Sequence, residues 1–247
     1  WRHWPIAWSA VSEAASRPVQ AALGGAPVAI VPNGVATDRW LLPEAPGVRD
    51  PRRIVIATVM RLAARKRPRQ LARMLADLRR LVPEHIGMQA LVIGDGPLRG
   101  HLESDLRELG IADWVDLAGV LTAPEIAHVY RDVDIYVAPA TLESFGIAAL
   151  EARAAGLPVV AFGRTGVADF IQHGTNGLLA VDDEDMVTAL QRLVLDPGLR
   201  AAITANNRAQ PPRASWPQVL EQCDGLYAQA RALWPSAVRR APVQARP

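Results

Sequence analysis

Along most of the chain, short runs of apolar residues alternate with longer stretches in which apolar positions recur at helical spacing. Residues 54–59, 90–93, 115–118, 135–138, 159–162 and 178–181 are nearly unbroken apolar runs, the pattern of strands buried on both faces. Between them, residues 69–81, 98–109, 147–155 and 186–195 carry the helical period, several of them closed by Gly or Pro. Strict alternation of strand and helix predicts an α/β fold with a Rossmann-like, doubly wound parallel sheet. In such sheets ligands sit beyond the carboxyl ends of the strands. The loops after Val59, Ile93, Ala138 and Phe162 are therefore where chemistry is expected.

The flanks break this rhythm. Residues 1–50 hold a strand-like segment at 28–31, a Pro32-Asn33-Gly34 turn and a Pro/Gly-rich stretch at 43–51 that reads as an interdomain linker. Trp1, Trp4 and Trp8 suggest either an apolar contact surface or core. After a main unit at 51–210, residues 211–234 form a helix bounded by Trp216 and Trp234, and the basic, Pro-rich 235–247 reads as a disordered tail.

Composition narrows the classes. Half of the 247 residues are hydrophobic, enough for a sizeable core, and a net charge of +2 argues against nucleic acid as a partner. The single cysteine, Cys223, cannot form an internal disulfide, which points to a reducing, cytoplasmic compartment. No apolar run is long enough to span a bilayer, and the first residues lack the form of a signal peptide.

Four segments carry candidate chemistry. In Glu143-Ser144-Phe145-Gly146-Ile147-Ala148-Ala149-Leu150-Glu151, one carboxylate lies in a loop after a strand and the other on the second turn of the following helix. Gly146 lets backbone amides approach a ligand, and free amides at Phe145, Gly146 and Ile147 suit an anionic group at a helix start. The two acids also fit an ordinary solvated helix start. In Met60-Arg61-Leu62-Ala63-Ala64-Arg65-Lys66-Arg67, Arg61 and Lys66 can clamp a diphosphate, the fork of one and the point charge of the other opposing phosphate oxygens. A solvated basic loop is the plain alternative. Gly94 and Gly96 of Ile93-Gly94-Asp95-Gly96-Pro97 read first as turn formers and second as ligand contacts; Arg99 stands where a dinucleotide fingerprint needs its third glycine. In the segment from Gly166 to Leu179, Asn176-Gly177 reads as a turn into a strand. Asp132-Val133-Asp134 reads as a helix-to-strand turn, the run from Asp182 to Asp185 as a helix start, and no group of histidines has metal-ligand spacing, so no metal site is expected.

In this order the four segments resemble the C-terminal, donor-binding domain of GT-B glycosyltransferases of family 4, also called glycosyl transferases group 1. The resemblance runs from about Val11 to the Trp216 helix. It implies that Glu143 meets donor-sugar hydroxyls, Glu151 the ribose diol, Arg61 and Lys66 the diphosphate, and the Gly94–Gly96 turn the nucleotide. It also implies a UDP- or GDP-sugar as donor, retention of anomeric configuration, no further cofactor and an acceptor that is a glycan, lipid or small molecule. Most of the N-terminal acceptor domain would be missing, with residues 1–50 its remnant, the 211–234 helix packing back toward it, and peripheral contact with the inner membrane face possible. An isolated chain would then be inactive. A non-catalytic nucleotide-sugar-binding module and a nucleotide-sugar epimerase of GT-B architecture are the alternatives. Against the family pattern, Met60 and Arg67 stand where Gly is usual, Thr165-Gly166 and Asp169 where two glycines and Glu are common, and Ala36 where Asp is typical.

Overall fold

The structure, a computed structural model, describes residues 6–41 and 53–233. The expected linker at 43–51, the tail at 235–247, and Trp1 and Trp4 lie outside the described residues. The chain begins with β1 (Trp8–Ala10), α1 (Glu13–Ala22) and β2 (Val28–Ile30), whose two strands pair in parallel, followed by the short α2 (Thr37–Trp40). Ser12 caps α1 by accepting the Ala15 amide at 3.0 Å, satisfying one of the donors a helix start leaves open.

The main unit follows as β3 (Arg53–Val59), α3 (Pro68–Leu81), β4 (Gly87–Ile93), α4 (Arg99–Glu108), β5 (Val115–Gly119), α5 (Ala123–Val129), β6 (Ile135–Ala138), α6 (Ile147–Ala154), β7 (Val159–Phe162), β8 (Gly177–Ala180), α7 (Asp183–Leu195) and α8 (Pro197–Ala209). Six strands form one parallel sheet in the order β5-β4-β3-β6-β7-β8. The unbroken apolar runs have their cause here: Val159, Val160 and Ala161 of β7 are each at most 1% exposed, because helices cover both sheet faces. One face carries α3, α4 and α7 over Ile54, Ile56 and Val92; the other carries α2, α5 and α6 over Ala57, Ile93 and Tyr136.

Local signals set the element ends. Pro68 opens α3, where its missing N–H costs nothing, and Leu71, Met74, Leu75 and Leu78 then fall on one buried stripe. Burying each of these contributes roughly 1.5–3 kcal/mol. The expected acidic helix start is present: Asp182 caps α7 by accepting the Asp185 amide at 2.9 Å. Asp134 accepts the Val55 amide at 2.8 Å, so the Asp132–Asp134 turn fastens β6 to β3. Asn176 accepts the Gln172 amide at 2.7 Å, and Gly177 passes so close to β7 that a Cβ would stand 2.3 Å from the Val159 carbonyl oxygen.

The last helix, α9 (Trp216–Leu233), differs from the rest: Val219 is its only buried residue, while Trp216, Leu220, Tyr227 and Leu233 are half exposed or more. Trp216 lies over Gly34, where a Cβ would meet its ring at 2.6 Å. Among the described residues no helix is long and apolar enough to cross a membrane.

Strand order matters most for function. The chain runs outward from β3 to β5, then returns to place β6 on the other side of β3. Loops leaving β3 and β6 therefore diverge to opposite faces and leave a crevice between them, the switch point at which doubly wound sheets bind ligands.

Candidate functional site

A cleft of about 340 Å³ occupies that crevice. Its walls are the β3 loop, with Met60, Arg65 and Lys66, and the β6 loop from Pro139 through Gly146 into α6; Thr58 and Tyr136 form part of its floor. Lys66 and Glu143, 77 positions apart, meet across it as an ion pair, with side chains 25% and 20% exposed. At that exposure the pair is screened but not fully solvated, so each charge is held in place and still open to exchange its partner for a ligand.

The β6 loop is held from behind. Gly166 packs against it so tightly that a Cβ would lie 2.1 Å from the Ser144 carbonyl oxygen, and the Gly166 amide donates to the Glu143 carbonyl at 2.8 Å. Gly146 has φ 91, in the left-handed region that glycine favours, and a Cβ there would meet Val167 at 2.6 Å. This turn starts α6 without a side-chain cap, and among the described residues the amides of Phe145 and Gly146 make no backbone hydrogen bond. Phe145 is buried and its ring packs on Phe170 at 5.5 Å, whereas Ile147 is 48% exposed at the rim.

The glycines after β4 do a different job. A Cβ on Gly94 would stand 2.0 Å from the Met60 carbonyl oxygen, and one on Gly96 would stand 2.6 Å from that of Leu62. Backbone bonds from Met60 to Ile93 and from Leu62 to Asp95, both 2.9 Å, complete the seam. Gly94 and Gly96 thus brace the basic loop and do not line the cleft.

Arg61 is exposed and outside the cleft wall; Arg65, to which the sequence reading gave no role, is on it. Arg67 explains its own departure from the family's glycine. It is the only described non-glycine residue with positive φ, at 60, a conformation costing roughly 1–2 kcal/mol for a residue with a side chain. Its guanidinium binds both carboxylate oxygens of Asp183, at 2.9 and 2.7 Å, reaches the Pro139 carbonyl at 3.2 Å, and lies 5.5 Å from the Phe162 ring centroid.

Glu151 stands apart from the cleft wall, half-buried on the second turn of α6, and burial alone pushes its carboxyl up to about 7. Burial also raises Tyr130 and Tyr136, with a further contribution from the nearby Glu151 charge. The Tyr130 hydroxyl is buried without a hydrogen-bond partner, while that of Tyr136 donates to the Val59 carbonyl at 3.3 Å.

The first segment of the chain reaches the same site. Val11 and Asn33 line the cleft, the buried Ser12 hydroxyl donates to the Ser144 carbonyl at 2.5 Å, and the Glu13 amide donates to Asp169 at 2.7 Å. Sequence reasoning did not assign Val11, Asn33, Thr58 or Tyr136 to the site. Only Asn33 carried a local signal, its Pro-Asn-Gly turn.

The parallel α/β sheet is the fold that the sequence pattern led us to expect, and an acidic loop and a basic loop meet at its switch point. Comparison with known proteins agrees. The profile of the family described as glycosyl transferases group 1 matches residues 43–210, and the chain belongs to that family. Curated relatives include D-inositol 3-phosphate glycosyltransferases from Stackebrandtia nassauensis, 34% identical over 78% of this chain and 45% of the relative, and from Actinosynnema mirum, 33% identical over 83% and 52%. The chain spans about half the length of these relatives. Among solved structures, sucrose-phosphate synthase from Thermosynechococcus elongatus is 22% identical with a TM-score of 0.76, covering 92% of this chain and 58% of that one. Anabaena HepE in complex with UDP and glucose is 20% identical with a TM-score of 0.74, covering 89% and 62%. At these identities the likeness establishes the GT-B fold alone.

Proposed function

We propose that this chain supplies the donor-binding half of a retaining glycosyltransferase that moves a sugar from a nucleotide-diphosphate donor to an acceptor hydroxyl. The observation that carries the reading is the Lys66–Glu143 pair across the β3–β6 crevice, which sets one cation and one carboxylate at the place where doubly wound sheets bind ligands. In this reading Lys66, with Arg61 swinging in, takes the diphosphate, and Glu143, released from Lys66, accepts hydrogen bonds from sugar hydroxyls. Cationic donors there stabilise the charge that builds on the diphosphate as its bond to the anomeric carbon breaks. The acceptor attacks from the same face. Glu151 takes the ribose diol, and the amides of Phe145, Gly146 and Ile147 face the anionic donor.

UDP is the first nucleotide to test, since HepE was captured with UDP. The relatives' name makes a phosphorylated polyol the first acceptor to try. An acceptor domain preceding residue 51, of which β1, α1 and β2 are the remnant, would complete the enzyme, with the exposed face of α9 packed toward it. The test is calorimetric titration of the chain with UDP and GDP, with and without EDTA. Metal-independent binding in the micromolar range is expected; no binding of either nucleotide would sink the reading. Without the rest of the enzyme the chain should transfer no sugar, and turnover by a pure sample would contradict that expectation.

A further inference from the structure

Arg67 departs from the family pattern and takes on an unfavourable backbone conformation, yet it lines no part of the cleft. Its side chain is instead spent on contacts within the protein. One guanidinium joins three separate segments: Asp183 at the start of α7, Pro139 at the start of the β6 loop, and the Phe162 ring at the end of β7. Arg67 follows Lys66 directly, and Pro139 leads the loop that carries Glu143. Its side chain is 18% exposed, and its fork is spent on both oxygens of one carboxylate, so it is not free to bind a ligand itself.

We propose that Arg67 is a positioning residue: with Asp183 it fixes the distance between the two lips of the cleft and so sets the affinity for a diphosphate. The proposal rests on the donor-site reading above. A two-point fork plus a ring contact restrains both translation and rotation of the loop, which a glycine at this position cannot do. Backbone conformation and side-chain anchoring make opposite predictions for glycine. If only the left-handed turn matters, R67G relieves strain and binds as well as the native residue or better. If the anchor matters, R67G fails.

The experiment measures UDP, inorganic pyrophosphate and UMP affinity by calorimetry for the unaltered chain, R67G, R67K, D183N and the R67G/D183N double variant, with thermal midpoints recorded for each. R67G and D183N should each weaken UDP and pyrophosphate about tenfold and UMP less than threefold. The double variant should lose no more than either single change, because both remove one joint. R67K, which keeps the charge and loses the fork, should fall between. Native-like UDP binding by R67G or D183N overturns the proposal, as does an equal loss for UMP and UDP, which would mark a general loosening of the fold. If the unaltered chain binds neither UDP nor pyrophosphate, the donor-site reading itself falls and the proposal falls with it. A native chain that binds alongside an indifferent R67G removes the proposal alone.

Discussion

The two ends of the Glu143–Glu151 segment carry the same residue type in opposite electrostatic settings. At the cleft lip Glu143 faces Lys66 across the crevice, its charge already compensated. One helical stretch away Glu151 is half-buried, and desolvation pushes it up to about 7. The contrast separates two ways of preparing a polar site. A paired lip must exchange partners when an anionic ligand arrives, so its selectivity lies in competition between Glu143 and the ligand for Lys66. An uncompensated carboxylate gains from any donor that approaches it, so its selectivity lies in which donors can reach it.

The harshest way to break this contrast is to disturb the lip from behind. Gly166→Ala places a methyl group against the Ser144 carbonyl and should cost about 3 kcal/mol of stability, seen as a lower denaturant midpoint, along with most UDP binding. An unchanged midpoint would show that the loop relocates easily and does not hold the lip. Next, Lys66→Ala should weaken UDP and pyrophosphate alike, by roughly ten- to a hundredfold, as expected for a lost charge-assisted contact. A loss confined to the nucleotide would reassign Lys66 away from the phosphates.

Glu151→Gln comes third, with roughly tenfold weaker UDP binding and pyrophosphate unaffected. It also has a pH signature. Because the folded state holds the Glu151 proton more tightly than the unfolded chain does, its contribution to stability is most favourable below the ordinary carboxylate range and is lost as pH rises through about 7. The thermal midpoint of the unaltered chain should therefore fall relative to E151Q between pH 5 and 8, and its UDP affinity should rise relative to E151Q over the same interval as the carboxylate forms. Parallel curves would mean that Glu151 does not titrate there. The smallest effect is expected from Glu143→Ala: a few-fold loss for a complete UDP-sugar and little or none for UDP, since removing the competitor frees Lys66. Equal losses for both ligands would place Glu143 in the scaffold and not at the sugar.

The fold was legible because buried parallel strands leave an unmistakable mark, and all six strands of the main sheet lie where the apolar runs place them, within a few residues at their ends. Helices α5 and α8 were not singled out, the first being short and the second burying only Ile203 and Asn207. The loops that could carry a site were also legible. Which side chains meet was not. The Lys66–Glu143 contact depends on β6 returning beside β3, a fact of strand order that no local spacing records. Arg61, Arg65 and Arg67 look alike in sequence, yet the first is exposed away from the cleft, the second is exposed on its wall and the third is spent on Asp183; the left-handed turn at Arg67 decides where that last side chain points. Gly94 and Gly96 carried the signal of a close approach, but the partner is the protein's own backbone at Met60 and Leu62.

The contact of Ser12 with Ser144 bears on how this protein can be divided. A shorter protein starting at Arg53 would keep all six strands of the main sheet, every acidic and basic residue assigned to the donor, and both helical layers apart from α2 with its buried Trp40. It would also lack Val11 and Asn33 from the cleft wall, the hydroxyl that holds the Ser144 carbonyl, and the amide that holds Asp169. The boundary of the fold and the boundary of the site do not coincide, and a cut made along the first would pass through the second.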